Sequence, residues 1–421
     1  MSKRLLVFAP AAYNLAETSR MVEIAKGVRD HDVARSVFDI HFISEGGDFE
    51  KLITDNGFSL TTVGVPLSPE KISHIAAVND EEKFAPIYTK RELIEKVQAD
   101  VACLRQLKPA AVITGSYVSM PVSCQVLRIP LVWTVQSTWF QSFFASGAGL
   151  TDLVRPSFLK KIADFFFFQT IKFWMWYCFI HGINRAAGHF GVRKYKPIFS
   201  YFEGTVTLVA EAPEFTGATL PAGHHFIGPL MSKQSYPLPD EIRDIAKDLP
   251  LVYFAMGSSG TYEVVSEILR SFAGQPYRVI APVKFILDRG PPITVPHNVI
   301  VTDWLPAMEV NEMADVSVIH GGIGTVMTAA YAGKPIVGIG MQPEQVANIA
   351  SLVRKGVAIR VPRSKKLGTQ VQQAIRQVLV NDEMKKAAAR YAQMLRKWNG
   401  PRKAAEILLD SFGQTGKDSG R

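Results

Sequence analysis

Short apolar runs alternate with amphipathic stretches along most of the chain. Leu5–Ala9 is an unbroken apolar run stopped by Pro10, the pattern of a strand buried on both faces. Glu17–Asp30 follows with Met21, Ile24, Ala25 and Val28 at helical spacing. Phe38–Ser44 reads as the next strand and Asp48–Asn56 as a helix ending at Gly57. Arg91–Leu107 is a further helix, and Ala111–Thr114 and Leu131–Val135 are strands. This β-α-β-α order predicts a doubly wound sheet. The second half repeats the plan. Leu251–Met256 is a strand running into Gly257-Ser258-Ser259-Gly260, with a helix at Val264–Ala273 and a strand at Tyr277–Ile280. Val299–Val301, Val316–Ile319 and Ile336–Ile339 are short β-rich runs, and Gly324–Tyr331 and Glu344–Lys355 are helices.

The polar stretch Met231–Pro250, with Pro237, Pro239 and Pro250, separates the halves. The expected organisation is a domain over 1–230, a linker over 231–249, a second domain over 250–390, and a C-terminal helix and tail over 391–421. Asp382–Phe412 is expected to pack back across both domains, and the small, polar tail from Gly413 onward reads as disordered. No repeat of fixed short period is present.

A length of 421 residues suits two or three domains, and 47% hydrophobic with 20% charged residues suits a globular core. The net charge of +9 favours anionic partners: nucleic acid, phosphate-bearing substrates or an acidic membrane leaflet. No aromatic-basic sheet motif or other nucleic-acid module is visible, which removes the first. Cys103, Cys124 and Cys178 match no zinc or redox spacing and read as buried thiols of a reducing, cytoplasmic compartment. Leu5–Ala9 is too short for a signal-peptide core.

The richest chemistry lies in Thr302–Arg360. It holds Asp303-Trp304-Leu305-Pro306, then His320-Gly321-Gly322-Ile323-Gly324-Thr325, then Glu344-Gln345 and Asn348. A strand entering a glycine-rich turn before a helix lets backbone approach an anion, and the helix start offers free N–H groups and the positive end of its dipole. A diphosphate suits that place, with His320 able to donate to a phosphate oxygen. Taken alone, Trp304 also reads as core, Ser258 and Ser259 as helix caps, and Glu344 and Gln345 as a solvated helix start.

The segment DWLPAMEVNEMADVSVIHGGIGTVMTAAYAGKPIVGIGMQPEQVANI resembles the nucleotide-sugar signature of inverting glycosyltransferases with the GT-B fold, the family of plant natural-product, bacterial macrolide and sterol glucosyltransferases. The resemblance is clearest over 250–360. It implies an α/β chain of two Rossmann-like doubly wound domains facing a central cleft, donor in the second and acceptor in the first. It implies that Trp304, with the backbone at Leu305, flanks the base, and that His320, Gly322, Gly324 and Thr325 hold the diphosphate. Glu344 and Gln345 would bind sugar hydroxyls, and Gly257, Ser258 and Ser259 would close over the phosphates. Many UDP-sugar members carry an acid eight positions after the motif His, whereas Thr328 stands here; some dTDP-deoxysugar transferases share that Thr. Ala307 replaces the Gln that usually follows the Pro.

Inverting transfer needs a base for the acceptor hydroxyl. The family's His after the first strand falls on Asn14, and its partner Asp falls near Gly115, so both are replaced. Three readings follow: Glu17 or another acid is the base, the acceptor is itself acidic, or the chain binds nucleotide sugar with little transfer. An acid in a first helical turn is also ordinary helix chemistry. Gly115-Ser116-Tyr117-Val118-Ser119-Met120-Pro121 resembles the acceptor-facing turn of the transferase that adds N-acetylglucosamine to the peptidoglycan lipid precursor. Tyr13, Ser116, Tyr117, Trp139 and Phe140 form the expected acceptor-binding set.

Phe158–Asn184 is rich in aromatics, including Phe165–Phe168 and Phe173–Tyr177, and is punctuated by Lys160, Lys161 and Lys172. Gln169 and Lys172 interrupt it too early for a membrane span. It reads as an interfacial element on an anionic leaflet, the lining of an acceptor pocket, or plain core. Asp30-His31-Asp32 falls between a helix and a strand, and no metal or tightly bound cofactor is expected. The resulting expectation is transfer of a hexose from a UDP- or dTDP-sugar to a hydrophobic or lipid acceptor, with possible peripheral membrane contact and no nucleic acid. The alternatives are a nucleotide-sugar 2-epimerase, which shares the fold, and a nucleotide-sugar binding subunit.

Overall fold

The computed structural model describes residues 3–79, 82–140, 157–231, 237–245, 247–257 and 260–414, which fall into two compact units. The first takes residues through 140, 157–231 and 399–414, and the second takes 237–398. Part of the sequence-expected linker (232–236 and 246), most of the tail, and Ser258 and Ser259 lie outside the described residues.

In the first unit, β1 (Arg4–Ala9), β2 (Phe38–Ser44), β3 (Leu60–Thr62), β4 (Ala111–Thr114), β5 (Leu131–Val135), β6 (Val206–Val209) and β7 (His224–Phe226) pair in parallel in the order β3-β2-β1-β4-β5-β6-β7. Leu6 lies opposite Ile40 on one side and Ala111 on the other. The run Leu6–Ala9 is wholly buried because both faces of the sheet are covered. Val7 and Ala9 enter one core, Leu6 and Phe8 the other. The helices are α1 (Leu15–Asp30), α2 (Asp32–Val37), α3 (Glu50–Asp55), α4 (Pro69–Asn79), α5 (Lys90–Leu107), α6 (Met120–Leu127), α7 (Ser157–Met175), α8 (His181–His189) and α9 (Pro213–Thr216), with a π-helical turn at Trp176–Ile180 joining α7 to α8.

Asp30-His31-Asp32 departs from its expected place between a helix and a strand. The first helix breaks at His31, whose Nδ1 caps α2 by accepting the Ala34 N–H at 3.3 Å. Cys103 also differs from expectation: it is half-buried, while Cys124 and Cys178 are buried.

In the second unit, β8 (Leu251–Ala255), β9 (Arg278–Ala281), β10 (Val299–Val301), β11 (Val316–Ile319), β12 (Ile336–Gly338) and β13 (Ala358–Arg360) form a parallel sheet in the order β10-β9-β8-β11-β12-β13. Its helices are α10 (Asp240–Arg243), α11 (Tyr262–Ser271), α12 (Lys284–Leu287), α13 (Ala307–Met313), α14 (Ile323–Ala332), α15 (Pro343–Arg354), α16 (Leu367–Leu379) and α17 (Asp382–Leu395). Ile242 of α10 is buried in this unit's core, so part of the polar stretch between the halves is structured. The last helix, α18 (Gly400–Phe412), returns to the first unit and buries Ala404, Ala405 and Leu408 beside α1.

Both sheets reverse their strand order once, between β1 and β4 and between β8 and β11. At such a switch point the connections leave the sheet in opposite directions, opening a crevice at the strands' carboxyl ends where ligands bind.

Candidate active site

At the β8/β11 switch point the chain leaves β11 through His320, Gly321 and Gly322 and enters α14. The first N–H groups of that helix have no intrahelical acceptor, and their dipoles add to favour an anion. A Cβ on Gly324 would meet nothing within 4 Å, so the backbone is open there. Gly257, with φ of +51°, and Gly322 make room for the His320 ring: a Cβ on either would come within 2.6 or 2.5 Å of it. His320 is 6% exposed, and burial pushes its pKa down to about 4, opposed in part by the Ala255 carbonyl. The imidazole is therefore neutral at pH 7 and offers one N–H rather than a full positive charge. Its Nδ1 has no hydrogen-bond partner.

The turn is held from α15. Asn348 Nδ2 donates to the Gly321 carbonyl at 3.0 Å and to Glu344 Oε1 at 3.3 Å. Gln345, expected to bind a sugar, is buried and turned inward: its Oε1 accepts the Met341 N–H at 2.9 Å and the Gln342 N–H at 3.3 Å. It thus caps the start of α15. Glu344 remains half-buried. Thr325 and Thr328 are half-buried, and the Thr328 hydroxyl donates back to the Gly324 carbonyl at 2.8 Å. Trp304 is 43% exposed and stacks one face on Phe285, with centroids 4.9 Å apart and planes 11° apart. The Leu305 side chain sits in the core with Val310 and Ile280, leaving only its backbone for the predicted role.

The β1/β4 switch point is built differently. Asn14 is exposed and caps α1, its Oδ1 accepting the Glu17 N–H at 3.2 Å. Glu17 is fully buried, and its Oε1 accepts the Gly115 N–H at 3.1 Å and the Ser116 N–H at 2.6 Å. Burial pushes its carboxyl up to about 7, against the opposing pull of Arg20 and of the Ser116, Ala11 and Gly115 N–H groups. Tyr13 beside it is half-buried, and its phenol is held above the usual range by burial and then by the Glu17 charge.

The other expected acceptor residues scatter in depth. Ser116 is half-buried at the rim. Tyr117 is 1% exposed; its ring lies in the core and its hydroxyl donates to Asp100 Oδ1 at 3.0 Å. Trp139 packs on Phe202 at 5.1 Å, and the buried Phe140 meets His224 edge-on.

Several buried polar groups escape a reading of the sequence. Asp100 also accepts from Ser119 and Ser123, Lys96 pairs with the buried Glu45, and Glu211 accepts the Ser137 N–H and hydroxyl. Burial lowers the Lys96 ammonium to about 8. Asp100 had a sequence signal: it lies three residues after Val97 and four before Leu104, on the apolar face of its helix. Among the described residues no group of three His, Cys, Asp or Glu side chains could hold a metal ion.

Comparison with known proteins agrees with this geometry. The sequence pattern of the UDP-glucoronosyl and UDP-glucosyl transferase family matches residues 91–397. The chain is 26% identical over 400 residues to a PGL/p-HBAD biosynthesis glycosyltransferase of Mycobacterium tuberculosis, covering 93% of this chain and 88% of that one. Among solved structures, the spinosyn forosaminyltransferase SpnP superimposes with a TM-score of 0.70 at 16% identity, over 98% of this chain and 100% of that one. The spinosyn rhamnosyltransferase SpnG, complexed with thymidine diphosphate, does so with a TM-score of 0.65 at 12% identity, over 98% and 100%. With an anion-ready helix start at the second switch point, two doubly wound sheets and a family match over most of its length, the chain belongs to the UDP-glucoronosyl and UDP-glucosyl transferase family and is a glycosyltransferase of the GT-B fold.

Proposed function

We propose that the chain transfers a hexosyl group from a UDP- or dTDP-sugar to a hydrophobic acceptor hydroxyl, with inversion at the anomeric carbon. The observation that carries this reading is the opening at the start of α14, where Gly324 leaves the backbone clear and His320 stands between Gly257 and Gly322. The donor diphosphate lies against the N–H groups of Ile323–Thr325, which stabilise the charge that builds on the leaving group. The free face of Trp304 takes the base and Glu344 the sugar hydroxyls. The family's name supports UDP, and the thymidine diphosphate complex of a structurally similar transferase supports dTDP.

Glu17 is the proposed proton acceptor. A carboxyl that titrates near 7 has the basicity that general-base catalysis at neutral pH requires. Its complete burial, with Asn14 as the exposed group of that loop, favours a second reading in which an acidic acceptor such as a phenol needs no base. Glu17→Gln separates them. If Glu17 is the base, the variant transfers to an alkyl alcohol roughly 10²–10⁴-fold more slowly, and the wild-type rise in kcat/KM up to pH 7 disappears. An unchanged rate with a phenol acceptor, with no rate on alcohols in either protein, supports the second reading.

The donor half is tested first by thermal shift. UDP or dTDP raises the melting temperature of the wild type by mass action, and His320→Ala loses most of that rise. No stabilisation by either nucleotide and no transfer from any UDP- or dTDP-sugar would overturn the proposal.

A further inference from the structure

The aromatic segment forms a surface to which the proposed donor and base sites assign no role. Along α7 and the turn after it, Ile162, Phe165, Phe166, Phe173 and Trp176 are all exposed. Their spacing of three, four, eleven and fourteen residues from Ile162 keeps them on one stripe about 100° wide, with Gln169, seven residues on, at its middle. At 1.5 Å per residue the stripe is about 21 Å long. Phe165, Phe166 and Phe173 are 58%, 64% and 56% exposed, well beyond what core or pocket lining permits. Phe84, from the loop after α4, widens the stripe: it stacks on Phe173 at 6.0 Å and on Tyr177 at 4.6 Å, and is itself exposed. Contiguous exposed aromatics of this kind mark a binding face.

The charge carried by the same stretch of sequence selects the partner. Residues 157–194 carry six cations (Lys160, Lys161, Lys172, Arg185, Arg193 and Lys194) against one acid, Asp164. Arg185, Arg193 and Lys194 are exposed, as is Lys83 beside Phe84, next to the exposed Glu82. Lys172 lies over the Phe168 ring at 5.4 Å. A second copy of the chain docking here by two-fold symmetry would bring the same cations face to face. An anionic bilayer surface would accept the aromatics at the headgroup boundary and the cations at its phosphates. No helix of the described residues is long and apolar enough to cross a membrane, which leaves contact along the bilayer surface as the mode open to this stripe.

We propose that the stripe formed by Ile162, Phe165, Phe166, Phe173, Trp176 and Phe84 docks this protein on anionic lipid bilayers. The inference is independent of the sugar, the acceptor and the base.

The test is vesicle flotation of the full chain with phosphatidylcholine, with and without phosphatidylglycerol. The wild type floats with the anionic vesicles and releases as salt rises. Phe165→Ser/Phe166→Ser/Phe173→Ser partitions at least about tenfold less, while keeping its melting temperature and its nucleotide-induced rise. Should that variant fail to fold, Lys160→Glu/Lys161→Glu/Lys172→Glu is expected to lose the dependence on phosphatidylglycerol. Absence of wild-type flotation with anionic vesicles overturns the proposal. So does equal flotation of the folded aromatic variant, or a stable dimer in sedimentation that the aromatic variant dissolves while the wild type ignores vesicles.

Discussion

The two sheets reverse their order at equivalent places and fill those places in opposite ways. At the β1/β4 reversal the N–H groups of Gly115 and Ser116 are already taken by the carboxyl of Glu17 in the same unit. At the β8/β11 reversal the N–H groups that open α14 face a clear approach at Gly324, and the neighbouring ring of His320 is neutral. The pattern extends along both sheet edges. The loops after β2 and β6 carry the buried acids Glu45 and Glu211, whereas β8, β11 and β12 run into Gly257, Gly321-Gly322 and Gly340. One fold thus offers two similar anion-binding edges. In the first unit the chain occupies its own edge, and in the second it leaves the edge open. On the proposed reading the open edge takes the donor, and the two units differ in this without any change of topology.

The largest effect expected from breaking this comparison is on pH-dependent stability. An ordinary glutamate titrates near 4.5 and Glu17 near 7 in the folded chain. Between those values the folded state keeps a proton that the unfolded state has released, so stability falls as pH rises through the window and is level above it. The ionised, buried carboxylate costs about 3 kcal/mol relative to a solvated one. Glu17→Gln keeps an oxygen for the Gly115 and Ser116 N–H groups and removes the charge. Its unfolding free energy is expected to match the wild type at pH 4.5 and to exceed it by about 2–3 kcal/mol at pH 8. Equal pH slopes for the two proteins would show that Glu17 is as easily ionised in the folded chain as in water.

What the sequence discloses about these two places follows the length scale of the contacts. The β11 turn is legible because strand, glycines and helix lie within about a dozen consecutive residues, and the local pattern is the structure. Glu17 is legible only as an acid in a first helical turn, since its partners are 98 and 99 residues away. Tyr117 shows the same limit. Its turn resembles an acceptor-facing one, yet its hydroxyl is taken by Asp100 on a separate helix. Gln345 sits within a readable motif, but the choice between binding a ligand and capping α15 depends on where Gln342 turns. The helical spacing of the aromatic segment is plain in the sequence. Its exposure is not, because a stripe at that spacing would serve equally as core or pocket wall.

A second prediction sharpens the open edge. Trp304 has one face on Phe285 and 43% of its surface exposed, so its remaining face is open to the base that the proposed donor site places there. Trp304→Ala is expected to weaken both UDP and dTDP by about 1–3 kcal/mol, as removal of a base-stacking aromatic does elsewhere. The unfolding free energy without nucleotide is expected to change less, because the ring is largely outside the core. Calorimetric titration with each nucleotide reads this directly. A variant that binds both as tightly as the wild type would move the base away from Trp304.

The smallest effect is expected at Thr328, and it bears on whether the open edge reads its nucleotide through side chains at all. Its hydroxyl proton is committed to the Gly324 carbonyl one turn earlier, so only lone pairs face outward. A ribose hydroxyl could donate to them, but position 328 itself carries no acid to accept it strongly. Thr328→Val keeps the shape and removes the oxygen. Its affinities for UDP and dTDP, and their ratio, are expected to stay within about 0.5 kcal/mol of the wild type, the range of substitutions that touch no ligand, because the bond it removes is a local one within its own helix. A loss of about 1 kcal/mol or more for both nucleotides would mean that Thr328 abandons Gly324 to bind the ribose. The second edge would then be specified by its side chains as well as by the backbone that the glycines expose.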